Sequence, residues 1–281
     1  MNLVLNLYRA FLVALVFMTT GALWGCVSQS TLPIDQELLV IGNEYDFAAP
    51  SHIASGIVTV RFVNAGSTEL HNAALIRLAG GHSLQDFADF MRDGLQSPDW
   101  AVHVGEVESI PPGTEALAKV ILKPGPHLIV CYHGEGQGIP HHTLGMITSL
   151  DVIESSNNDP EPEFDVDLVM FDFGYALSES PKTGQQIIRV VGAGPQIHNV
   201  LIWKLRQGKS ATDLVHWLES DRTTPRPGQP LGGLTALSPG ERAYLPIELE
   251  TGRYVLLCLV PDVGDGRFHL SHGMMKEIRI R

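Results

Sequence analysis

Two groups of side chains with the chemistry of metal ligands occur in this sequence in the same order. Each group holds a histidine, a cysteine, a second histidine and a methionine: His71, Cys131, His141 and Met146, then His198, Cys258, His269 and Met274. Two imidazoles and a thiolate, with a long axial thioether bond, are a soft ligand set that suits copper in electron-transfer sites. The residue types therefore predict one or two type 1-like copper ions.

The two groups belong to a sequence repeat. Asn72 and Asn199 follow the first histidine of each group, and the His-Asn pairs and the cysteines recur at an offset of 127 residues. After the cysteines the offset becomes 128, which aligns the second histidines and the methionines. A fixed offset predicts a duplicated domain. The two asparagines are predicted to orient the ligand loops by hydrogen bonds from outside the ligand set.

The repeat also predicts the domain boundaries. An acidic, proline-containing stretch separates the copies and has the composition of a linker. The predicted parts are a first domain at 38–153, the linker at 154–163 and a second domain at 164–281.

Each copy is expected to consist mostly of strands. Four β-rich runs are bounded by turn residues and predict strands: 57–63, 115–122, 186–191 and 242–249. One helix is predicted in each copy, because Ser83 with Asp86 and Ser210 with Asp213 have the spacing of capping boxes. Several short strands in each copy favour a Greek-key β-sandwich, so the expected fold class is all-β with two tandem sandwiches.

Composition excludes several other classes of protein. Hydrophobic residues make up 44% of the 281 residues, which is enough for a packed core. The net charge of −12 argues against a protein that binds nucleic acid through phosphates. Three cysteines in a chain of this length do not predict a disulfide scaffold.

The first 26 residues have the pattern of an export signal. One basic residue, Arg9, precedes an apolar run that ends at Cys26 and is short for a membrane-spanning helix. The segment resembles a bacterial lipoprotein signal, which implies that Cys26 carries a lipid and that residues 27–37 form a tether. The alternatives are an ordinary signal peptide cut near Gly25 and an uncleaved anchor. Each version predicts a protein outside the cytoplasm, in the periplasm or on the cell surface, with the membrane as a partner.

The ligand groups and the strands around them resemble the cupredoxins, the blue copper family, in both copies. The segment from Gly252 to Cys258 matches the family's Gly-x-Tyr-x-x-x-Cys strand, while His127 replaces the tyrosine in the first copy. The resemblance implies an eight-stranded Greek-key sandwich. Nine and ten residues separate each cysteine from its following histidine. This interval is longer than in single-domain blue copper proteins and comparable to that of the tandem nitrite reductases.

The residues beside the cysteines bear on enzymatic function. Those reductases and the multicopper oxidases have a histidine directly beside the cysteine, whereas here the neighbours are Val130, Tyr132, Leu257 and Leu259. An electron carrier or copper-holding protein is therefore favoured over a copper enzyme of the nitrite reductase type. Four further histidines are expected in solvated loops rather than in a separate metal site: His103, His133, His142 and His272. Because His142 is adjacent to His141 and His272 is close to His269, the sequence leaves open which histidine of each pair completes the ligand group.

Two further possibilities concern partners. An acidic surface suits a basic redox partner protein, because opposite charges steer association. The alternative to copper binding is a metal-free sandwich that serves as an interaction module of the cell envelope.

Overall fold

The computed structural model describes residues 36–92, 97–134, 139–156 and 159–281, within one compact unit. The predicted signal peptide, Cys26 and nearly all of the predicted tether lie outside the described residues. Among the described residues, no helix has both the length and the apolar character needed to cross a membrane.

The described part of the chain is almost entirely β-structure, with one short helix in each half, as the sequence predicts. The first half contains β1 Gln36–Asn43, β2 Asp46–Ala48, β3 His52–Ala54, β4 Gly56–Asn64, β5 Ala74–Leu78, α1 Leu84–Arg92, β6 Ala101–His103, β7 Glu115–Leu122, β8 Gly125–Val130 and β9 Ile147–Ile153. The second half contains β10 Val166–Phe171, β11 Gly174–Leu177, β12 Gly184–Gly192, β13 His198–Leu205, α2 Ala211–Glu219, β14 Gly228–Leu237, β15 Arg242–Leu249, β16 Gly252–Leu257 and β17 Met275–Ile280. A short 3₁₀ turn precedes the last strand of each half, at His141–Leu144 and His269–His272.

The strands form because apolar residues alternate along them. In β4, Val58, Val60 and Phe62 are buried while the residues between them are partly exposed. This period of two directs one face of the strand into the core. All four predicted strands are present, and those predicted at 115–122 and 242–249 have the predicted bounds.

The two predicted capping boxes are also present. In α2, Ser210 Oγ accepts a hydrogen bond from the Asp213 N–H at 3.2 Å, and the Asp213 carboxylate accepts one from the Ser210 N–H at 2.7 Å. Ser83 and Asp86 make the same two bonds before α1. Each helix packs an apolar stripe against the strand that leads to the cysteine, through Phe87 in the first half and Trp217 in the second.

The strands pair in three sheets. One eight-stranded sheet has the order β11-β10-β12-β15-β7-β4-β1-β2 and spans both halves. The second half contributes a four-stranded sheet, β14-β13-β16-β17, and the first half a five-stranded sheet, β3-β9-β8-β5-β6. A single core cluster contains residues of both halves. The halves are therefore joined by shared sheet and shared core.

The joining strands meet their own counterparts in the repeat. β7 pairs antiparallel with β15, which occupies the same place in the second half. The segment after β6 pairs with β14: Val107 lies opposite Leu234, its own counterpart, and Val104 lies opposite Leu237. Antiparallel pairing of equivalent segments is what a two-fold relation between the halves produces. This pseudo-two-fold relation places the two predicted ligand groups in equivalent positions.

Candidate metal centres

The same backbone frame holds the cysteine, second histidine and methionine in each half. Cys131 follows β8, and its N–H donates to the Met146 carbonyl at 3.1 Å, while the Met146 N–H donates to the His141 carbonyl at 3.0 Å. Cys258, Met274 and His269 make the corresponding bonds at 3.3 and 3.0 Å. A glycine in the left-handed region ends each 3₁₀ turn, with φ of 111° at Gly145 and 94° at Gly273. The turn can therefore reverse into the last strand without strain.

The first histidine of each group comes from a different part of the sheet than the cysteine. His198 begins β13 and lies opposite Leu237 of β14. His71 makes an isolated bridge to Ile110, the counterpart of Leu237. Both histidines are fully buried, as are both cysteines and both methionines.

The structure brings the first predicted group together. The Nδ1 atoms of His71 and His141 lie 3.0 Å apart, and Cys131 Sγ lies 3.9 and 3.7 Å from them, respectively. The sequence left open whether His141 or His142 belongs to the group, and the structure selects His141. The ring of His142 instead contacts Tyr132, with centroids 5.4 Å apart.

The second group has nearly the same geometry. His198 Nδ1 lies 3.1 Å from His269 Nδ1, and Cys258 Sγ lies 3.5 Å from His269 Nδ1. In both groups all three donor atoms lie within 4.8 Å of one another. His269 rather than His272 is the member, since His272 turns to the exposed Asp265, at 3.1 Å.

The donor triangle of the first group has the size of a metal site. A point equidistant from its three donor atoms lies about 2 Å from each, close to metal–nitrogen and metal–sulfur bonds of about 2.0–2.3 Å. A soft thiolate with two imidazoles fits copper by ligand type. The methionine that follows each turn is buried, and its backbone bonds to the ligand cysteine and to the second histidine.

Burial sets the protonation states of the ligands. Burial first, and then the neighbouring histidine, lower the pKa of His71 and of His269 from 6.5 to about 4. These imidazoles are therefore neutral near pH 7, the form that binds metals. Burial raises the pKa of both cysteine thiols from 9.0 to about 12, so metal binding releases a proton from each.

Backbone N–H groups partly offset the burial of each cysteine sulfur. The N–H groups of Asn72 and His133 lower the pKa of Cys131, and those of Asn199 and Val260 lower the pKa of Cys258. The Asn199 N–H donates to Cys258 Sγ at 3.4 Å. Such donors favour the thiolate and hold the sulfur in place for a metal.

The predicted asparagines lie directly outside the ligand groups. The Tyr132 N–H donates to Asn72 Oδ1 at 2.9 Å, and the Leu259 N–H donates to Asn199 Oδ1 at 3.0 Å. Each asparagine directly follows a ligand histidine and thus connects that segment to the residue after the ligand cysteine. Both side-chain amides donate onward to one buried carboxylate, Glu108, at 3.4 and 3.1 Å. No sequence pattern indicates Glu108, because contacts between the two halves depend on how the repeats pack.

A polar frame surrounds the histidines of the second site. His198 Nε2 lies 2.9 Å from Asp172 Oδ1, and His269 Nε2 lies 3.3 Å from Gln196 Oε1. The Gln196 amide donates to Asp262 at 2.8 Å, which closes the frame. Burial lowers the pKa of His198, and the Asp172 carboxylate opposes that shift. Sequence reasoning missed these three residues: Gln196 and Asp262 lie close to ligands along the chain, but a single amide or carboxylate forms no pattern that predicts its partner.

The first site has a different surround. Glu44 occupies the turn position that corresponds to Asp172, but its carboxylate accepts from Ser67 Oγ at 2.9 Å and from the Thr68 N–H at 3.3 Å. His71 Nε2 is buried and has no hydrogen-bond partner among the described residues. An aromatic ring still covers the second histidine in both halves, with Tyr45 5.0 Å from His141 and Phe173 5.5 Å from His269.

The expectation for His103, His133, His142 and His272 is wrong in part. His103 and His142 are buried rather than solvated, and His103 Nε2 lies 2.7 Å from Ser97 Oγ. Burial lowers the pKa of His103 to about 4, so it stays neutral in the core. His133 and His272 are partly exposed, as expected for loop residues.

Comparison with known proteins shows similarity to copper proteins of known structure. No protein-family profile and no curated protein matches the chain. Auracyanin A, a blue copper protein from Chloroflexus aurantiacus, is 19% identical over 41% of this chain and 97% of its own, with a TM-score of 0.30. The blue copper oxidase from Nitrosomonas europaea is 17% identical over 88% and 85%, respectively, with a TM-score of 0.23. Identities and scores this low transfer no function, so the chemistry has to follow from the sites themselves.

The strand order and the ligand positions agree on the fold. In each half the cysteine directly follows the next-to-last strand, and the second histidine and the methionine return in the loop before the last strand. The chain consists of two tandem cupredoxin-like β-sandwiches, each with a buried type 1-like His/Cys/His group.

Proposed function

We propose that this protein binds copper at both ligand groups and carries single electrons, or holds copper, on the outer side of a membrane. The observation that carries the proposal is the pair of buried groups in which two imidazole nitrogens and a thiol sulfur converge within 4.8 Å. Copper bound there would supply one-electron chemistry between Cu(I) and Cu(II).

The residues of the chain would keep the ligands still during electron transfer. The donors of each group come from two neighbouring strands and from a turn tied by backbone hydrogen bonds to the cysteine and histidine. The ligands are at most 1% exposed, which keeps water away from the metal position. A rigid, dry site limits the rearrangement that accompanies a change of oxidation state, and this favours electron transfer over substrate chemistry.

The half-exposed aromatic rings would form the contact with a redox partner. Tyr45 and Phe173 are 37% and 38% exposed, and each touches the second histidine of its site. Each ring thus connects a ligand to the protein surface. The net charge of −12 favours a basic partner.

Copper titration of the full chain in detergent tests the proposal. We expect an intense visible thiolate-to-copper charge-transfer band and two copper ions per chain. Cys131→Ser and Cys258→Ser should each remove one ion and part of the band, and the double variant should remove both. Copper should also raise the melting temperature, because a ligand that binds only the folded state stabilises it.

The opposite result has a clear form. If the wild-type chain gains neither colour nor stoichiometric copper nor thermal stability, copper binding is refuted and a metal-free interaction module becomes the better description.

The membrane part of the proposal has its own variant. Cys26→Ser should move the protein from the membrane fraction to the soluble fraction and leave both copper sites unchanged, since Cys26 lies outside the ligand groups. Unchanged membrane association would contradict anchoring through a lipid on Cys26.

A further inference from the structure

One buried carboxylate lies between the two ligand groups. Glu108 Oε1 accepts from the Asn72 side-chain amide at 3.4 Å, and Glu108 Oε2 accepts from the Asn199 side-chain amide at 3.1 Å. We propose that Glu108 is a shared positioning residue that orders both ligand loops and links the two sites to each other. This inference rests on the proposed copper binding and goes beyond it.

The link is a continuous series of hydrogen bonds. From Glu108 it passes through Asn72 Oδ1 to the Tyr132 N–H at 2.9 Å, directly after Cys131. In the other direction it passes through Asn199 Oδ1 to the Leu259 N–H at 3.0 Å, directly after Cys258. A shift of the strand before one cysteine should therefore change the hydrogen bonds that hold the segment after the other cysteine.

The pseudo-two-fold relation explains how one carboxylate serves two sites. Glu108 lies next to Val107, which pairs with its own counterpart and so marks the place where the halves meet as equivalents. From this position the Glu108 carboxylate reaches both Asn72 and Asn199. The counterpart of Glu108 is Thr235, whose short side chain is buried. A carboxylate with two oxygens can accept from both amides at once.

The position of Glu108 is fixed by its backbone and its neighbour. The Glu108 N–H donates to the Gly233 carbonyl at 3.3 Å, which ties the segment to β14 of the second half. Glu108 Oε1 also accepts from the Ser109 N–H at 2.8 Å and from Ser109 Oγ at 3.1 Å. A buried network whose members are all bonded is rigid, and loss of one member leaves others without partners.

The two oxygens of Glu108 have unequal numbers of hydrogen-bond donors, so different substitutions of Glu108 should affect the two sites differently. Among the described residues, Oε1 has three donors, whereas Oε2 has Asn199 alone. In Glu108→Gln the amide oxygen should take the Oε1 position, so that its NH₂ group faces the Asn199 NH₂ group. Glu108→Gln should thus disturb the second site and spare the first, while Glu108→Ala should disturb both.

The experiment places these variants in full-length chains that keep one copper site, made with Cys131→Ser or Cys258→Ser. With Cu(II) as the probe, Glu108→Gln should shift the charge-transfer band in the Cys131→Ser chain, which keeps the second site. The band should stay unchanged in the Cys258→Ser chain, which keeps the first site. Glu106→Gln is the matched control, because Glu106 is buried on the same segment, whereas both asparagine amides donate to Glu108. It should leave both bands unchanged.

A second readout needs no metal. In the metal-free chain, Glu108→Gln should move the NMR signals of the Asn199 side-chain amide and speed hydrogen exchange at the Leu259 N–H several-fold. The link itself is tested by adding Cu(II) to the Cys131→Ser chain, which should slow exchange at the Tyr132 N–H. Glu108→Gln should abolish that response.

The outcomes separate the two proposals. If wild-type protein binds two copper ions but Glu108→Gln and Glu108→Ala leave both bands and both asparagine signals unchanged, the shared role of Glu108 is refuted. If the wild-type chain takes no copper, the proposed function fails, and the metal-free readout still decides whether Glu108 holds the two asparagines.

Discussion

The two candidate copper sites have the same ligands and different surroundings. The Nδ1–Nδ1 distances are 3.0 and 3.1 Å, and the turn after each cysteine is bonded alike. Around the second site, however, a carboxylate and an amide hold both histidine rings, whereas the corresponding carboxylate of the first site bonds to a loop. The repeat has kept the geometry that a metal requires and has changed the groups that tune it.

This difference has a physical consequence. A carboxylate on the distal nitrogen of a ligating histidine fixes its tautomer and raises its basicity. Asp172 provides this for His198, while His71 Nε2 has no such partner among the described residues. We therefore expect the second site to bind copper more tightly and to favour Cu(II) more than the first.

The largest expected effect follows from removal of that carboxylate. Asp172→Ala should weaken copper binding at the second site by about 10–100-fold, the usual cost of losing an outer partner of a ligating histidine. Copper titration in the Cys131→Ser chain, which keeps only the second site, measures this loss. The first site, titrated in the Cys258→Ser chain, should keep its affinity.

Glu44→Ala is the matched substitution in the first half. Since Glu44 bonds Ser67 and Thr68 rather than a ligand ring, its loss should change copper affinity at the first site much less. Equal losses of copper affinity from Asp172→Ala and Glu44→Ala would show that the different surroundings of the two sites do not affect copper affinity.

A glycine beside the first histidine gives the next effect. A Cβ at Gly194 would lie 2.5 Å from Asp172 Oδ1 and 2.6 Å from His198 Nε2, inside the hydrogen bond that joins them. At Gly66, in the same place of the first half, the nearest atoms would be 3.0 Å away or more. Gly194→Ala should therefore weaken the second site by about tenfold, and Gly66→Ala should weaken the first site less. The reverse order would contradict this account of the second surround.

Much of the fold and the ligand set could be predicted from the sequence. The repeat aligns His71 with His198 and Cys131 with Cys258, and soft ligands in family order predict their convergence. The strands were predictable because alternation of apolar residues reports one buried face. The capping boxes were predictable because both bonds involve residues three positions apart.

The outer groups could not be predicted in the same way. Glu108 reaches both asparagines only because the segment after β6 pairs with β14, and a pairing between two halves leaves no local pattern. Glu44 and Asp172 are both acidic and occupy corresponding turns of the two halves, yet Glu44 bonds to a loop serine and Asp172 to a ligand histidine. The difference depends on the neighbouring loop conformation, which side-chain type alone does not fix.

A third difference between the halves predicts a pH effect. His127 occupies the place of Tyr254, and burial lowers its pKa from 6.5 to about 4, whereas the Tyr254 hydroxyl donates to the Glu250 carbonyl at 2.9 Å. The unfolded chain therefore binds more protons at this position than the folded chain, and stability is lost as pH falls from about 6.5 towards 4. His127→Phe should reduce the fall in the free energy of unfolding between pH 6.5 and 5.5 by about 1 kcal/mol.

Urea unfolding of the metal-free protein at these two pH values measures that difference. Tyr254→Phe is the control, since it removes only a hydroxyl from the corresponding residue of the second half, and its pH dependence should match that of the wild type. An unchanged pH slope in His127→Phe would show that His127 does not titrate differently in the folded and unfolded chains.

The smallest effect concerns a feature that the halves share. Ser83→Ala and Ser210→Ala each remove the side-chain oxygen that accepts from the third residue of a helix, at 3.2 Å in both halves. Each substitution should lower the free energy of unfolding by about 0.5–1 kcal/mol, measured by urea unfolding. Because α1 and α2 cover the outer faces of their sheets, neither substitution should shift a copper band. A band shift from either substitution would mean that the packing of the helix affects the geometry of the ligand groups. Stability and site geometry would then be coupled in this chain, despite the rigid frame of strands around each site.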